Sequence, residues 1–129
     1  MNFAVADSVI INEPKNFTVY VGNGVQLDCE SSAYGYYPSW TLSKDGTNED
    51  ITVIASFCVL NSDYTDTYNY YVEKRESGVC NLVITSASMD ETGVYTCIDV
   101  GLASISSFVT VVCKYMYFCL MLWVQHVSS

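Results

Sequence analysis

Positive charge is scarce in this sequence. Lysine and arginine number 5 against 14 aspartates and glutamates, a formal net charge of -9 at pH 7. The cations, Lys15, Lys44, Lys74, Arg75 and Lys114, are scattered, so no basic stripe can track a phosphate backbone and nucleic acid is excluded as a partner. An anionic membrane surface is disfavoured for the same reason. Histidine is scarcer still, since the single one, His126, lies in the C-terminal tail. Triad chemistry, general acid–base catalysis and a copper–zinc dismutase sandwich all lack the imidazoles they need. No Gly-rich phosphate cradle is present, and no Cys-x2-Cys or Cys-x4-Cys pair suggests zinc. Asp63 with Asp66, and Glu49 with Asp50, lack the regular spacing of a calcium loop and read as solvated loop charges. No enzyme, metal or cofactor is expected, and no residue is assigned a catalytic role.

Long helical and apolar runs are missing too. No helical period is sustained over three turns. The apolar stretch 115–124 has about half the length that a bilayer-spanning helix requires. It reads as a truncated membrane anchor or an alternatively spliced tail, so a membrane enters only through a missing or truncated anchor. At the other end Ala4-Val5-Ala6 matches the small-x-small pattern of a signal-peptidase site, with only Met1, Asn2 and Phe3 before it. It reads either as a signal-peptide remnant or as a strand lead-in. The expected organisation is a lead-in over 1–8, one domain over 9–112 and a hydrophobic tail over 113–129.

What is present is apolar sequence, cysteine and strand-like alternation. The 129 residues are 50% apolar or aromatic, enough for one buried core. The 6 cysteines without zinc spacing point to disulfides and an oxidising compartment. The triplet Asn16-Phe17-Thr18 is a glycosylation sequon and agrees with secretion, with Asn16 as the acceptor.

Short strands are separated by turn signals, which predicts an all-β sandwich or barrel. Val25, Leu27 and Cys29 alternate with Gln26, Asp28 and Glu30, one face buried and the other solvated and acidic. Trp40 and Leu42 alternate with Thr41 and Ser43, and a turn at Asp45-Gly46 folds that strand back onto "ITVIAS". Leu82 and Ile84 mark another half-buried strand. Tyr95 and Cys97 point one way while Thr96, Ile98 and Val100 point the other. In "SISSFVTVV", Ile105, Val109 and Val111 are inward against Ser106, Phe108 and Thr110.

Cys29, Trp40, "NLVI" and "DETGVYTC" together resemble an immunoglobulin-superfamily domain, over residues from about Ile10 to Val112. The resemblance implies a two-sheet antiparallel Greek-key β-sandwich. It implies that Cys29 and Cys97 bridge the sheets, that Trp40 packs on the bridge with Leu82 and Ile84 in the core, and that Tyr95 forms a tyrosine corner. Glu91 stands where variable-like members carry an aspartate paired with an arginine; Lys74 and Arg75 are the nearest candidates, and neither fits that spacing well. The long span between Cys29 and Cys97 suits a variable-like or intermediate domain. The last strand lacks the Phe-Gly-x-Gly bulge of antigen-receptor chains, and the 99–103 loop is too short for a diversified one. The look is that of invertebrate cell-surface recognition and adhesion domains. A second pair, Cys58 with Cys80, would clamp the polar, tyrosine-rich segment between them. For Cys113 and Cys119, mutual pairing, a bond to another chain and lipidation all remain open.

On such a fold the outer face of the sheet carrying Trp40, Tyr95 and the last strand receives Thr41, Ser43, Thr96, Ile98, Val100, Ser106 and Phe108. None is charged in this acidic chain, which is what a protein contact tends to look like. Residues 31–38 occupy the first binding loop, where Tyr34 and Tyr36 are expected as exposed contacts and Tyr37 as a prop for the core. The expected function is extracellular, secreted or cell-surface recognition or adhesion through a protein partner, itself included. The alternative is a soluble receptor holding a glycan or small ligand by its loop tyrosines. An intracellular structural domain, as in muscle, is opposed by the cysteines and the sequon.

Overall fold

The computed structural model describes residues 8–12, 15–33, 35–47, 49–65, 69–76, 78–115 and 119. The strands are β1 (Phe17–Tyr20), β2 (Val25–Leu27), β3 (Ser39–Ser43), β4 (Ile51–Ser56), β5 (Val59–Leu60), β6 (Tyr70–Arg75), β7 (Val79–Ile84), β8 (Gly93–Ile98) and β9 (Ser104–Val112). One helical turn, α1 (Ser62–Thr65), and a 3-10 turn, Met89–Glu91, complete the elements. Six strands form one sheet in the order β1-β9-β8-β3-β4-β5, and three form the other in the order β2-β7-β6. All pairings are antiparallel except β1 on β9, which is parallel and aligns Phe17 with Val109. That is an exception to the antiparallel expectation; the segment before β1 pairs elsewhere, Ile10 bridging Ser31 and Ile11 N–H donating to the Glu30 carbonyl just beyond β2.

The alternating residues turn inward between the sheets. Leu27, Trp40, Leu82, Ile84, Tyr95 and Val109 are fully buried around the bond joining Cys29 to Cys97, whose Cα atoms lie 6.5 Å apart. Burying such side chains supplies about 1.5–3 kcal/mol each, the main favourable contribution to folding. Cys58 is bonded to Cys80 with a Cα separation of 5.6 Å, and Cys113 is bonded to Cys119.

The segment between Cys58 and Cys80 contributes more to the core than its polarity suggests. Tyr70 is buried, and the Tyr64 ring meets it edge-on at 5.3 Å between centroids. The Tyr95 hydroxyl donates to the Glu91 carbonyl at 2.6 Å, closing the tyrosine corner. Since that uses its one proton, the Tyr70 hydroxyl, 2.9 Å away, donates to the Tyr95 oxygen.

Glu91 is paired with neither Lys74 nor Arg75. Its carboxylate accepts from the Ser88 amide at 3.0 Å and the Ser88 hydroxyl at 2.9 Å, a capping box that satisfies a buried charge locally. Arg75 pairs with Glu73 instead, and Lys74 lies 4.3 Å from the centroid of the Tyr37 ring.

The β4–β5 connection is a two-residue turn with Phe57 at φ 50° and Cys58 at φ 61°, a geometry usually left to Asn-Gly. Two side chains are held in the left-handed region because Cys58 N–H donates to the Pro38 carbonyl, Phe57 N–H donates to Ser39 Oγ, both at 2.9 Å, and Cys58 is tied to Cys80. Among the described residues no helix is long and apolar enough to cross a membrane. The signal-like triplet and all of the apolar tail but Tyr115 and Cys119 lie outside the described residues.

Candidate protein-binding face

No strand of the six-stranded sheet contains a charged residue, although the chain carries a net charge of -9. The charges that do enter strands, Glu73, Lys74 and Arg75, are all in β6 of the other sheet. This division positions the candidate site on the outer face of the larger sheet.

Cross-strand partners share a face, so the registers assemble that face row by row. Phe108 lies opposite Val94, Val94 opposite Ser43, and Ser43 opposite Ile51. The next row runs Ser106, Thr96, Thr41, Val53, and the one beyond it Ser104, Ile98, Ser39. In these rows three apolar side chains stand well into solvent, Phe108 at 43%, Ile51 at 46% and Val53 at 40% exposure, and Tyr20 in β1 and Val59 in β5 are exposed on the edge strands of the same sheet. Val94 and Ile98 are half-buried between them. Two hydroxyls of the central row pair with each other, Thr96 Oγ1 and Ser106 Oγ lying 2.8 Å apart. Hydroxyls that already have a lateral partner lose less when water is removed from them.

Sequence alternation assigned seven residues to this face, and the structure treats them differently. Thr41, Thr96, Ile98, Ser106 and Phe108 lie on it. Ser43 does not offer a contact: it is buried, because its hydroxyl donates to the Thr47 carbonyl at 2.7 Å and so belongs to the β3–β4 turn. That turn is longer than the Asp45-Gly46 signal suggested and spans 44–50, with Asp45 accepting from the Thr47 amide at 2.9 Å and hydroxyl at 2.8 Å. These bonds, the Thr47 amide first, hold the Asp45 carboxyl below its usual pKa. Val100 is half-buried in the loop after β8, on the rim rather than in a row.

Sequence reading missed Val94, Ile51 and Val53. Val94 shares the parity of Thr96 and was legible. The β4 pair was not, because a register shift between Trp40 and Thr41 decides which β4 residues face outward.

The rim at one end is fixed by Asp99, a buried carboxylate. Its Oδ1 accepts from the Gly101 and Ala103 amides at 2.9 and 3.0 Å, and its Oδ2 from the Ser31 hydroxyl at 2.9 Å. One side chain thus shapes the 99–103 loop and joins it to the 31–38 loop, holding Leu102 outward at 77% exposure with φ 68°. In the 31–38 loop Tyr36 is exposed at 42%, Tyr37 packs on the core, and Tyr34 lies outside the described residues. Asn16 is exposed at the β1 edge.

A shallow open groove of about 360 Å³ lies on the three-stranded sheet between Gly24, Gln26, Tyr71, Val83 and Thr85, away from the loop tyrosines. Among the described residues no cluster of three or more histidines, cysteines or carboxylates is arranged to hold a metal.

The family model described as the immunoglobulin V-set domain matches residues 12–111. No curated protein matches the chain in sequence. Among solved structures, the ZIG-8 IG1 homodimer matches with a TM-score of 0.60 at 16% identity, over 79% of this chain and 82% of that one. The Dpr1 IG1 domain bound to DIP-eta IG1 gives a TM-score of 0.65 at 17% identity, over 82% and 96%. The ZIG-8–RIG-5 IG1–IG1 heterodimer gives 0.62 at 16% identity, over 80% and 85%. At these identities the likeness is one of fold.

Proposed function

The chain belongs to the immunoglobulin V-set family, and on that premise we propose that it is an extracellular recognition domain. It acts by pairing the outer face of its six-stranded sheet with a second immunoglobulin-like domain, its own copy included. The observation that carries this reading is the segregation of charge: six strands without a charged residue in a strongly acidic chain, with Phe108, Ile51 and Val53 exposed on them. Two acidic molecules can meet closely only through a surface that brings no like charges together. Covering the exposed part of Phe108 and Val53 would contribute about 1.5–2 kcal/mol each. Each of the three solved structures named above is a pair of IG1 domains, which supports a domain of the same kind as partner. Secretion or cell-surface display is supported by the Cys29–Cys97 and Cys58–Cys80 bonds, which persist in oxidising compartments.

Sedimentation velocity over a concentration series tests the proposal with three proteins: the parent, Val53→Asp with Phe108→Asp, and Tyr34→Ala with Tyr36→Ala. The face pair is expected to abolish association without unfolding the domain, and the loop pair to leave it nearly unchanged. Loss of association in the loop pair alone would move the site to the tyrosines and favour a glycan or small-molecule receptor.

A further inference from the structure

Asn16 precedes β1, and the ladder decides where it points. β1 is an edge strand running parallel to β9, with Phe17 opposite Val109 and Thr18 opposite Thr110. Val109 is fully buried and Phe17 packs on the core, whereas Thr18 is exposed. One step back along the same ladder Asn16 meets Phe108, whose amide N–H donates to Asn16 Oδ1 at 3.3 Å. A backbone N–H can only be met by the oxygen of the side-chain amide, so Nδ2 is the atom left free. The sequon acceptor therefore stands beside Phe108, an exposed aromatic of the uncharged face, on the same side of the sheet.

We propose that Asn16 carries an N-linked oligosaccharide and that this sugar gates the recognition face by standing over Phe108 at its β9 edge. The gate rests on the reading of that face as the contact surface; the modification itself does not. The donor is a lipid-linked diphospho-oligosaccharide of the secretory pathway. A bond forms between Asn16 Nδ2 and the first sugar's C1, the C1–O bond to the diphosphate breaks, Nδ2 gives up one proton, and the lipid diphosphate leaves. Because Oδ1 makes the bond to Phe108, the modified amide keeps it and the fold needs no adjustment. A hydrated sugar beside Phe108 prevents that ring from being desolvated against a partner. Val53 and Ile51 lie three strands away, roughly 14 Å at ordinary strand spacing, and stay open. The sugar thus weakens the contact at one end and leaves the other available.

The test uses the full chain directed into the secretory pathway of eukaryotic cells, as parent, Thr18→Ser, which keeps the sequon, and Thr18→Ala, which destroys it. Both variants leave Asn16 in place. Peptide mass reads occupancy, and sedimentation equilibrium reads self-association, with Phe108→Asp added to the Thr18→Ala background. The expected result is an oligosaccharide on Asn16 in the parent and Thr18→Ser only, with Thr18→Ala associating about tenfold more tightly and Phe108→Asp abolishing that gain. An unmodified Asn16 in the secreted parent overturns the site. Equal association of the Ser and Ala variants, with loss in Phe108→Asp, overturns the gate alone. Association absent throughout, or indifferent to Phe108→Asp, overturns the gate together with the face, while occupancy is still read by mass.

Discussion

The indole N–H of Trp40 donates to the main-chain carbonyl of Cys80 at 2.9 Å. Cys80 N–H in turn donates to the Cys29 carbonyl at 2.8 Å, so the tryptophan that packs at the sheet-bridging Cys29–Cys97 bond also anchors the strand carrying the Cys58–Cys80 bond. Trp40→Phe keeps an aromatic ring there but removes the donor and part of the volume. The expected cost is about 2–4 kcal/mol, from the lost bond and the cavity together. Urea denaturation should show it as a lower midpoint with an unchanged slope.

Replacing Cys58 and Cys80 by alanine opens a loop of sequence separation 22. In the chain-entropy picture that costs about 3 kcal/mol. Phe57 and the residue at 58 also lose the clamp on their left-handed turn. The same denaturation measurement is expected to show the loss, with the near-ultraviolet signal of Trp40 retained in the folded protein because the Cys29–Cys97 bond remains.

Alkaline pH should unfold the domain through its buried tyrosines. Burial raises both hydroxyls, Tyr70 to about 12 and Tyr95 beyond the ordinary tyrosine range. In the unfolded chain both titrate near 10. Below pH 10 both states hold these protons and stability is level. Above it the unfolded state binds fewer protons than the folded one, so stability falls as pH rises from 10 towards 12. Tyr70→Phe is expected to cost about 1 kcal/mol at pH 7, through loss of the bond to Tyr95, and to make the alkaline decline shallower. Denaturation midpoints from pH 8 to 12 check both effects.

Salt should strengthen self-association. Two copies of net charge -9 repel, and the proposed contact has no ion pairs to lose. Screening lowers the repulsion as the Debye length falls from about 10 Å at 0.1 M to about 3 Å at 1 M. Sedimentation at the two salt levels is expected to show tighter association at the higher one. A contact built on complementary charges would weaken instead.

The fold was legible because a sandwich of this kind announces itself through a few obligatory residues. Cys29, Trp40, Tyr95 and Cys97 stand at fixed places along strands of period two, and the V-set match covers the same span. The face was legible only where a strand's parity is continuous, as for Thr96, Ile98, Ser106 and Phe108. It failed at Ser43, where a turn captures the side chain, and at Ile51 and Val53, whose direction depends on a register shift in the neighbouring strand. The capping box of Ser88 and Glu91 was readable as a Ser-x-x-Glu pattern, and it explains why Glu91 needs no distant cation. Nothing in "DVGLA" alone marks Asp99 as the residue joining two loops, since Ser31, its partner, lies 68 residues away.

Hydroxyl-radical footprinting of the associated protein, read residue by residue by mass spectrometry, tests the central claim most directly. Side-chain oxidation reports solvent access at the rings and methyl groups that define the two sheets and the loop. On raising the concentration through the association range, Phe108, Ile51 and Val53 are expected to lose reactivity, while Tyr71 on the three-stranded sheet and Tyr36 in the first loop stay as reactive as in the monomer. Protection of Tyr71 or Tyr36, with Phe108, Ile51 and Val53 unchanged, would contradict the assignment of the uncharged face as the recognition surface.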